Sequence, residues 1–371
     1  MKSNEKQLKL AAQIEGRVRA LTDLGERSVR RPDALEAAAA LIEKEFQKCG
    51  YQTYRQTYQA GGVACSNIEA FLPGFRADRP HLLVGAHYDS AEGTPGADDN
   101  ASAVALLLEL AGQVYGRPEL PLRFVAFVNE EPPFFQTPLM GSMQFAARSV
   151  ERGENIAGMV CLESLGVFIN EPLTQIFPDS LPERFHIMPK TLDLTKGNFV
   201  AVIGNDLSSN LMLSLASNMK GNSRGLPVAF AAMPELEVSD HLAFWKHGFP
   251  AVMVTDTAML RNLHYHQPTD TPEKLNYLVM TQVLRALEAA VSRYADSILK
   301  GKHIPRIPDA EASRKIVQTY LGKDSLSSDD LSVIIEELVF LPREEALAFY
   351  EKLEAKLFKR PSQPPGKRFL P

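Results

Sequence analysis

Residues 82–110 read LLVGAHYDSAEGTPGADDNASAVALLLEL, and the fold is decided in this stretch. Leu82–Ala86 is a short unbroken apolar run, the pattern of a strand buried on both faces. It leads into His87-Tyr88-Asp89-Ser90. After a polar interval the chain becomes apolar again, and its spacing predicts a helix over Asp99–Val114. A buried strand followed by a helix is one unit of a parallel sheet.

Downstream the same alternation continues. Leu122–Val128 is expected as a strand, Gly141–Val150 as a helix and Ala157–Leu162 as a strand. Strand Phe199–Ile203, a helix around Leu207–Met219 and strand Ala251–Thr255 come next, and a long helix from about Leu275 to Leu299 closes this part. The expected class is α/β, with a mixed, mostly parallel central sheet sandwiched by helices. Upstream, the first fifty residues predict two helices. In the second, Pro32 stands in the first turn, Leu35, Ala38, Ala39, Ile42 and Phe46 recur at helical spacing, and Gly50 supplies the stop. Short β-like runs fill Tyr51–Leu72 around Gly61-Gly62.

Two regions break the rhythm. Gly166–Asn198 is rich in Pro and polar residues and reads as a long excursion, of the kind that is usually functional or mobile. After residue 300, Pro305 and Pro308 suggest a linker. Helices are expected near Ala310–Leu321, Ser328–Leu341 and Arg343–Phe358, with apolar faces made by Ile316, Tyr320, Leu331, Ile334, Ile335, Leu338, Leu347 and Tyr350. The expected division is therefore a catalytic domain over 1–300, a helical extension over 301–358 and a disordered tail over 359–371. The apolar faces need a partner, either the same chain or a second copy in a homo-oligomer.

Composition excludes several classes. Forty basic and forty-five acidic side chains leave a net charge of −5, too mild for a nucleic-acid or membrane partner. No apolar run approaches the ~18–20 residues of a membrane span. The N-terminal twenty residues are too charged for a secretory signal. Cys49, Cys65 and Cys161 are odd in number and widely spaced, which suits a reducing compartment and argues against a disulfide or Cys-zinc framework. The cytoplasm is the expected location.

The chemistry lies at the carboxyl end of each strand. Leu82–Ala86 delivers His87 and Asp89, Leu122–Val128 delivers Glu130 and Glu131, and Ala157–Leu162 delivers Glu163. Asp98 and Asp99 open the next helix, and His264 and His266 come after the last strand. In an open α/β sheet, ligands bind outside the carboxyl ends of the strands. Histidines with carboxylates and no thiolate suit catalytic zinc, with manganese or cobalt as lesser possibilities. A pair of ions needs a bridging carboxylate, terminal ligands on each side and a free base. His87 and Glu163 are assigned to one ion, Glu131 and His266 to the other, and Asp98 to the bridge. Glu130 is left as the base, and Asp89 as acceptor for the second N–H of His87. Each piece alone has an ordinary explanation. Asp98-Asp99-Asn100 also suits an N-cap, and surface Glu pairs are commonplace, so it is their convergence on one sheet edge that argues for a metal site.

With these residues in view, the runs LLVGAHYDS…PGADDNASAVALLLELA, FVNEEPPFFQTPLMGSMQFA, LESLG, SDHLAFWKHGFPAVMVTDTA and YHQPTDT resemble the co-catalytic zinc aminopeptidase family. That family also includes glutamate carboxypeptidase II, the non-enzymatic transferrin receptor and the glutaminyl cyclases. The motifs stand in family order over about residues 80–275. The resemblance implies two zinc ions, with ligands at His87, Asp98, Glu131, Glu163 and His266 and the base at Glu130. It implies a zinc-dependent exopeptidase, an aminopeptidase that hydrolyses N-terminal peptide bonds with a metal-activated water. The departures are Ala103 in place of a glycine and the Pro132-Pro133-Phe134-Phe135 insert after the Glu pair, which either shapes a substrate pocket or packs its own loop. Asp240 is a candidate for binding the substrate amine, and suits an N-cap equally well. Two other readings share the fold: a single-zinc glutaminyl cyclase, against which the Asp98-Asp99 pair argues, and a non-catalytic module, against which the full ligand set argues.

Overall fold

Two helices open the chain, α1 (Lys2–Thr22) and α2 (Pro32–Lys48). Pro32 occupies the first turn of α2, and Leu35, Ala38, Ala39, Ile42 and Phe46 form its buried face. At Gly50 the backbone turns left-handed, with φ 94°, which glycine adopts without penalty. The hairpin of β1 (Gln52–Ala60) and β2 (Val63–Phe71) turns through Gly61-Gly62.

The α/β alternation then begins: β3 (His81–His87), a π-helical turn (Ala97–Ser102), α3 (Ala103–Val114), β4 (Leu122–Phe127), α4 (Gly141–Glu151) and β5 (Ile156–Glu163). It continues through β6 (Val200–Gly204), α5 (Ser209–Asn222), β7 (Val228–Ala232), α6 (His241–Lys246), β8 (Ala251–Thr255) and α7 (Tyr277–Leu299). The computed structural model describes residues 2–177, 193, 195–301, 310–327, 330, 333–334 and 343–357. Most of the 166–198 excursion (178–192 and 194), the linker over 302–309, nearly all of the helix expected over 328–341 and the tail over 359–371 lie outside the described residues.

The eight strands form one sheet in the order β1-β2-β4-β3-β5-β8-β6-β7. Its middle, β4-β3-β5-β8, is parallel, as are β6 and β7, while β1-β2, β2-β4 and β8-β6 pair antiparallel. Every residue of β3, β4, β5 and β8 is buried, as expected for strands covered on both faces. α3 is buried along almost its whole length and packs with α1 and α7. α4 packs with α6, over a cluster in which Phe127, Phe145 and Phe244 lie 5.7 to 6.1 Å apart, centroid to centroid.

Three elements depart from expectation. The helix expected from Asp99 starts at Ala103, because Asp99 (φ −105°, ψ 93°) and Asn100 (φ −132°, ψ 28°) are not helical. The helix expected from Leu207 starts at Ser209, after a short 3-10 turn. β7 is a strand that the sequence pattern does not announce; its run of five residues, VAFAA, is too short to show its period.

The chain divides into two units, residues 1–306 and 307–371. In the second, α8 (Ala310–Leu321) and α9 (Arg343–Leu357) are joined by an ion pair between Arg314 and Glu345, with Nη2 2.8 Å from Oε2. Val317, Phe349 and Leu353 are buried, whereas Ile316 and Tyr320 are only half-buried. Among the described residues, no helix is long and apolar enough to cross a membrane.

Candidate metal centre

The parallel strands bring their carboxyl ends into line. His87 on β3 pairs with Phe127, after which β4 runs on to Glu130-Glu131, and Glu163 on β5 pairs with Thr255 on β8. At this edge the Nε2 of His87 lies 3.2 Å from Asp99 Oδ1 and 3.3 Å from Glu163 Oε2. On the other side of the same carboxylate, His266 Nε2 lies 3.0 Å from Asp99 Oδ2 and 3.3 Å from Glu131 Oε2. Two groups of three ligand atoms result, His87–Asp99–Glu163 and Asp99–Glu131–His266, each with all atoms within 4.8 Å of one another. Asp99 belongs to both, one oxygen facing each.

The position between the groups, expected for Asp98, is thus held by Asp99. The cause is the non-helical backbone at Asp99. The backbone N–H groups of Asp98 and Asp99 both donate to the Asp270 carboxylate. Asp98 points away from the cleft, where its carboxylate accepts from the Gly166 amide at 2.9 Å and from Asn262 Nδ2 at 3.0 Å. Asp99 points into it. Asn100 secures the turn to β5, its Nδ2 donating to the Leu162 carbonyl and its Oδ1 accepting from the Ser164 amide. A regular helix from Asp99 would have allowed none of this.

Asp89 lies 3.4 Å from His87 Nδ1, and its two oxygens accept the backbone amides of Glu130 (3.1 Å) and Glu131 (3.0 Å). One carboxylate therefore fixes the backbone of the acid pair while standing beside the second ring nitrogen of His87. Glu130 Oε2 is 3.9 Å from His87 Nε2, and Glu130 belongs to neither ligand group. Ser239 and Ser164 donate to the two oxygens of Glu163 at 2.6 and 3.0 Å.

The electrostatics follow from burial and crowding. Burial, then the charges of Glu131, Glu163 and Asp240, lift the Glu130 carboxyl well above its ordinary range, against the pull of His87. Burial and the neighbouring Asp99 push Glu131 up to about 7. Burial disfavours the His266 imidazolium, but the Asp99 and Glu131 carboxylates outweigh it and hold the ring at about 10. For Asp99 burial is likewise outweighed, and the close approach of the His266 and His87 rings keeps it below the usual carboxylate range.

Residues outside the ligand groups also fall into place. Asp240 is fully buried and is pushed up to about 7 by burial, with His87 and Ser142 pulling the other way. It stands at the N-cap position of α6, but its side chain makes no cap hydrogen bond there. The His264 ring is bonded to Thr269 Oγ1 at 2.9 Å and belongs to neither group. Asp270 lies in the run YHQPTDT but escapes sequence reasoning, because an acceptor of backbone amides has no side-chain signature.

The donor set suits a metal. It is histidine and carboxylate only. Among the described residues no lysine or arginine ion-pairs with any of the five, and the buried atoms Glu131 Oε1 and His266 Nε2 lack hydrogen-bond partners. Imidazole and carboxylate donors on both sides of a shared carboxylate fit two divalent ions of the zinc type.

Comparison with known proteins bears on the whole unit. The chain is 38% identical over 287 residues to the uncharacterized protein YfbL of Escherichia coli K12, covering 73% of this chain and 84% of that one. Its fold is similar to that of BSAP, a zinc aminopeptidase from Bacillus subtilis (TM-score 0.57, 14% identity, 76% of this chain and 95% of that one). It is also similar to that of a glutaminyl cyclase from Fimbriiglobus ruber (TM-score 0.55, 22% identity, 76% and 94%). The profile of peptidase family M28 matches residues 67–291, a span that runs from β2 into α7 and contains all five candidate ligands; the chain belongs to peptidase family M28.

Proposed function

We propose that this M28 peptidase is a zinc-dependent aminopeptidase with two ions per chain, held by His87, Asp99 and Glu163 on one side and by Asp99, Glu131 and His266 on the other. The observation that carries the reading is the Asp99 carboxylate, with one oxygen facing each group. When bound, zinc supplies a Lewis acid for the scissile carbonyl and lowers the pKa of the attacking water. The remaining work falls to the chain. Glu130, standing beside both groups but in neither, takes the proton of the water and passes it to the leaving amine.

A cavity of about 190 Å³ opens beside Glu163, and Phe177, Ala201, Ile203, Met233, Met253 and Tyr265 are among its walls. Apart from Glu163, its lining has no charged group among the described residues, which supports an apolar side chain on the N-terminal residue of the substrate.

The test is a panel of aminoacyl chromogenic substrates and short peptides, run on metal-stripped chain and on chain reloaded with counted zinc. Leucine, methionine and phenylalanine substrates should be cleaved fastest, with activity rising up to two ions per chain. Full activity at one firmly bound ion, or release of pyroglutamate from glutaminyl peptides in place of free amino acids, would sink the proposal in favour of cyclase chemistry.

A further inference from the structure

Arg27, in the turn between α1 and α2, is 0% exposed. Among the described residues its guanidinium pairs with no carboxylate. Nε donates to the Tyr88 carbonyl at 2.8 Å, Nη1 to the carbonyls of Gly25 (3.2 Å) and Pro95 (2.5 Å), and Nη2 to that of Gly96 (3.1 Å). Its backbone exchanges two further bonds with Ser90, both 3.0 Å. One planar side chain thus ties the residue after His87 to the turn that leads into Asp99. The turn has no slack. Gly96 has φ 55°, and a Cβ there would collide with the Asp99 carbonyl and meet Ser90 Cβ at 2.7 Å and Arg27 Nη2 at 3.0 Å. A buried cation without a carboxylate partner is costly, and burial draws this guanidinium down to about 10. The acids whose charge acts on it are Asp89, Asp99, Asp270 and Glu131.

We infer that Arg27 is a positioning residue for the metal centre, clamping the 95–96 turn so that Asp99 meets Glu131 and His266 in register. The inference rests on the two-ion reading above and adds an asymmetry to it. His87 and Glu163 are the last residues of β3 and β5 and are held by strand ladders. Glu131 and His266 sit on loops, so the group they form depends on the clamp. Charge alone predicts the opposite effect: a cation beside a zinc position repels the ion, and its removal would tighten binding.

The test is stepwise zinc titration of the full-length chain against a competing chelator, with the melting temperature of the zinc-free protein measured alongside. Arg27→Lys keeps the charge but cannot span the carbonyls, and should weaken one of the two zinc steps at least about tenfold, the usual scale for residues that orient ligands. In a His266→Ala background, which retains only the His87–Asp99–Glu163 group, Arg27→Lys should leave the remaining zinc constant unchanged. Ser90→Ala removes the hydroxyl that accepts the Arg27 amide and donates to the Thr94 carbonyl, both at 3.0 Å, and should reproduce the selective loss in smaller degree. The inference is overturned if a folded Arg27→Lys or Ser90→Ala chain binds both ions like wild type, loses both equally, or loses affinity in the His266→Ala background. It is overturned equally if Arg27→Met binds zinc more tightly. A wild-type chain that takes up only one ion overturns the two-ion reading itself, whereas two ions in wild type with unchanged constants in Arg27→Lys overturn the role of Arg27 alone.

Discussion

Strand β3 begins and ends on a histidine, and the two rings meet opposite fates. His81 is 0% and His87 1% exposed, so burial does not distinguish them. At the amino end, burial drives the His81 imidazolium down to about 4; the Arg79 carbonyl, 2.9 Å from Nδ1, opposes this and the Arg123 charge adds to it. The acids there are already taken. Arg123 pairs with Glu154 at 2.6 Å and also with Glu69, and Arg148 pairs with Glu69 at 2.6 Å. At the carboxyl end burial acts on His87 in the same direction, but Glu130 and Glu163 overrule it and lift the ring well above its ordinary value. No arginine or lysine is paired with the acids of that cluster among the described residues. At the amino end two arginines and two glutamates balance in charge; at the carboxyl end the acids around two histidines are in excess, an arrangement that suits a bound cation.

The contrast can be broken most severely at its centre. Asp99→Asn should remove both ions and lower hydrolysis by more than about 10⁴-fold, the upper range for loss of a positioned group. Asp98→Asn, one residue away, should keep both ions, because its carboxylate serves Gly166 and Asn262. Zinc counting and kcat on the two variants decide it, and the reverse pattern would restore Asp98 to the bridge. Next in size is the acid pair. Glu130→Gln should retain both ions and lose ~10²–10⁴-fold in kcat, while Glu131→Gln should weaken one ion. If Glu130→Gln sheds zinc and Glu131→Gln does not, the two roles are exchanged.

The smallest effect belongs to the amino end. His81 titrates near 4 in the folded chain and near 6.5 when unfolded. Between these values the unfolded chain binds a proton that the folded chain does not, so stability is fully present above about 6.5 and is lost as pH falls toward 4. The loss amounts to at most about 3 kcal/mol for this one group. His241, drawn down to about 4 by burial, adds a loss of the same sign. His81→Phe should therefore flatten the fall in urea midpoint between pH 7 and pH 4.5, measured with chelator present, and leave zinc uptake unchanged. An unaltered slope would place the acid sensitivity elsewhere.

Much of the centre was legible because the strand ends advertise it. Apolar runs that stop at His87, just before Glu130 and at Glu163 must release a polar side chain at one edge, and that edge is the binding edge of a parallel sheet. The one-residue error at Asp98 has a definite origin. Choosing between adjacent acids requires the backbone direction at each, and here the two dihedral pairs at Asp99 and Asn100 leave the helical region that apolar spacing predicts. Asp270 and Arg27 were illegible for another reason. They act on backbone amides and carbonyls, groups common to every residue, and so leave no residue-type pattern in the chain.

What the sequence determined by itself is the kind of chemistry: the α/β alternation, the histidine and carboxylate donors, and the edge at which they emerge. All of these depend on side-chain type and on periods of a few residues. Tertiary structure alone decided which oxygen faces which nitrogen. Asp99 reaches His87, twelve residues behind it, and His266, 167 ahead, through a turn pinned by Asp270 and Arg27 from opposite ends of the domain. Contacts at that separation are set by where packed elements bring their loops, and a ligand sphere tolerates only a few tenths of an ångström of error.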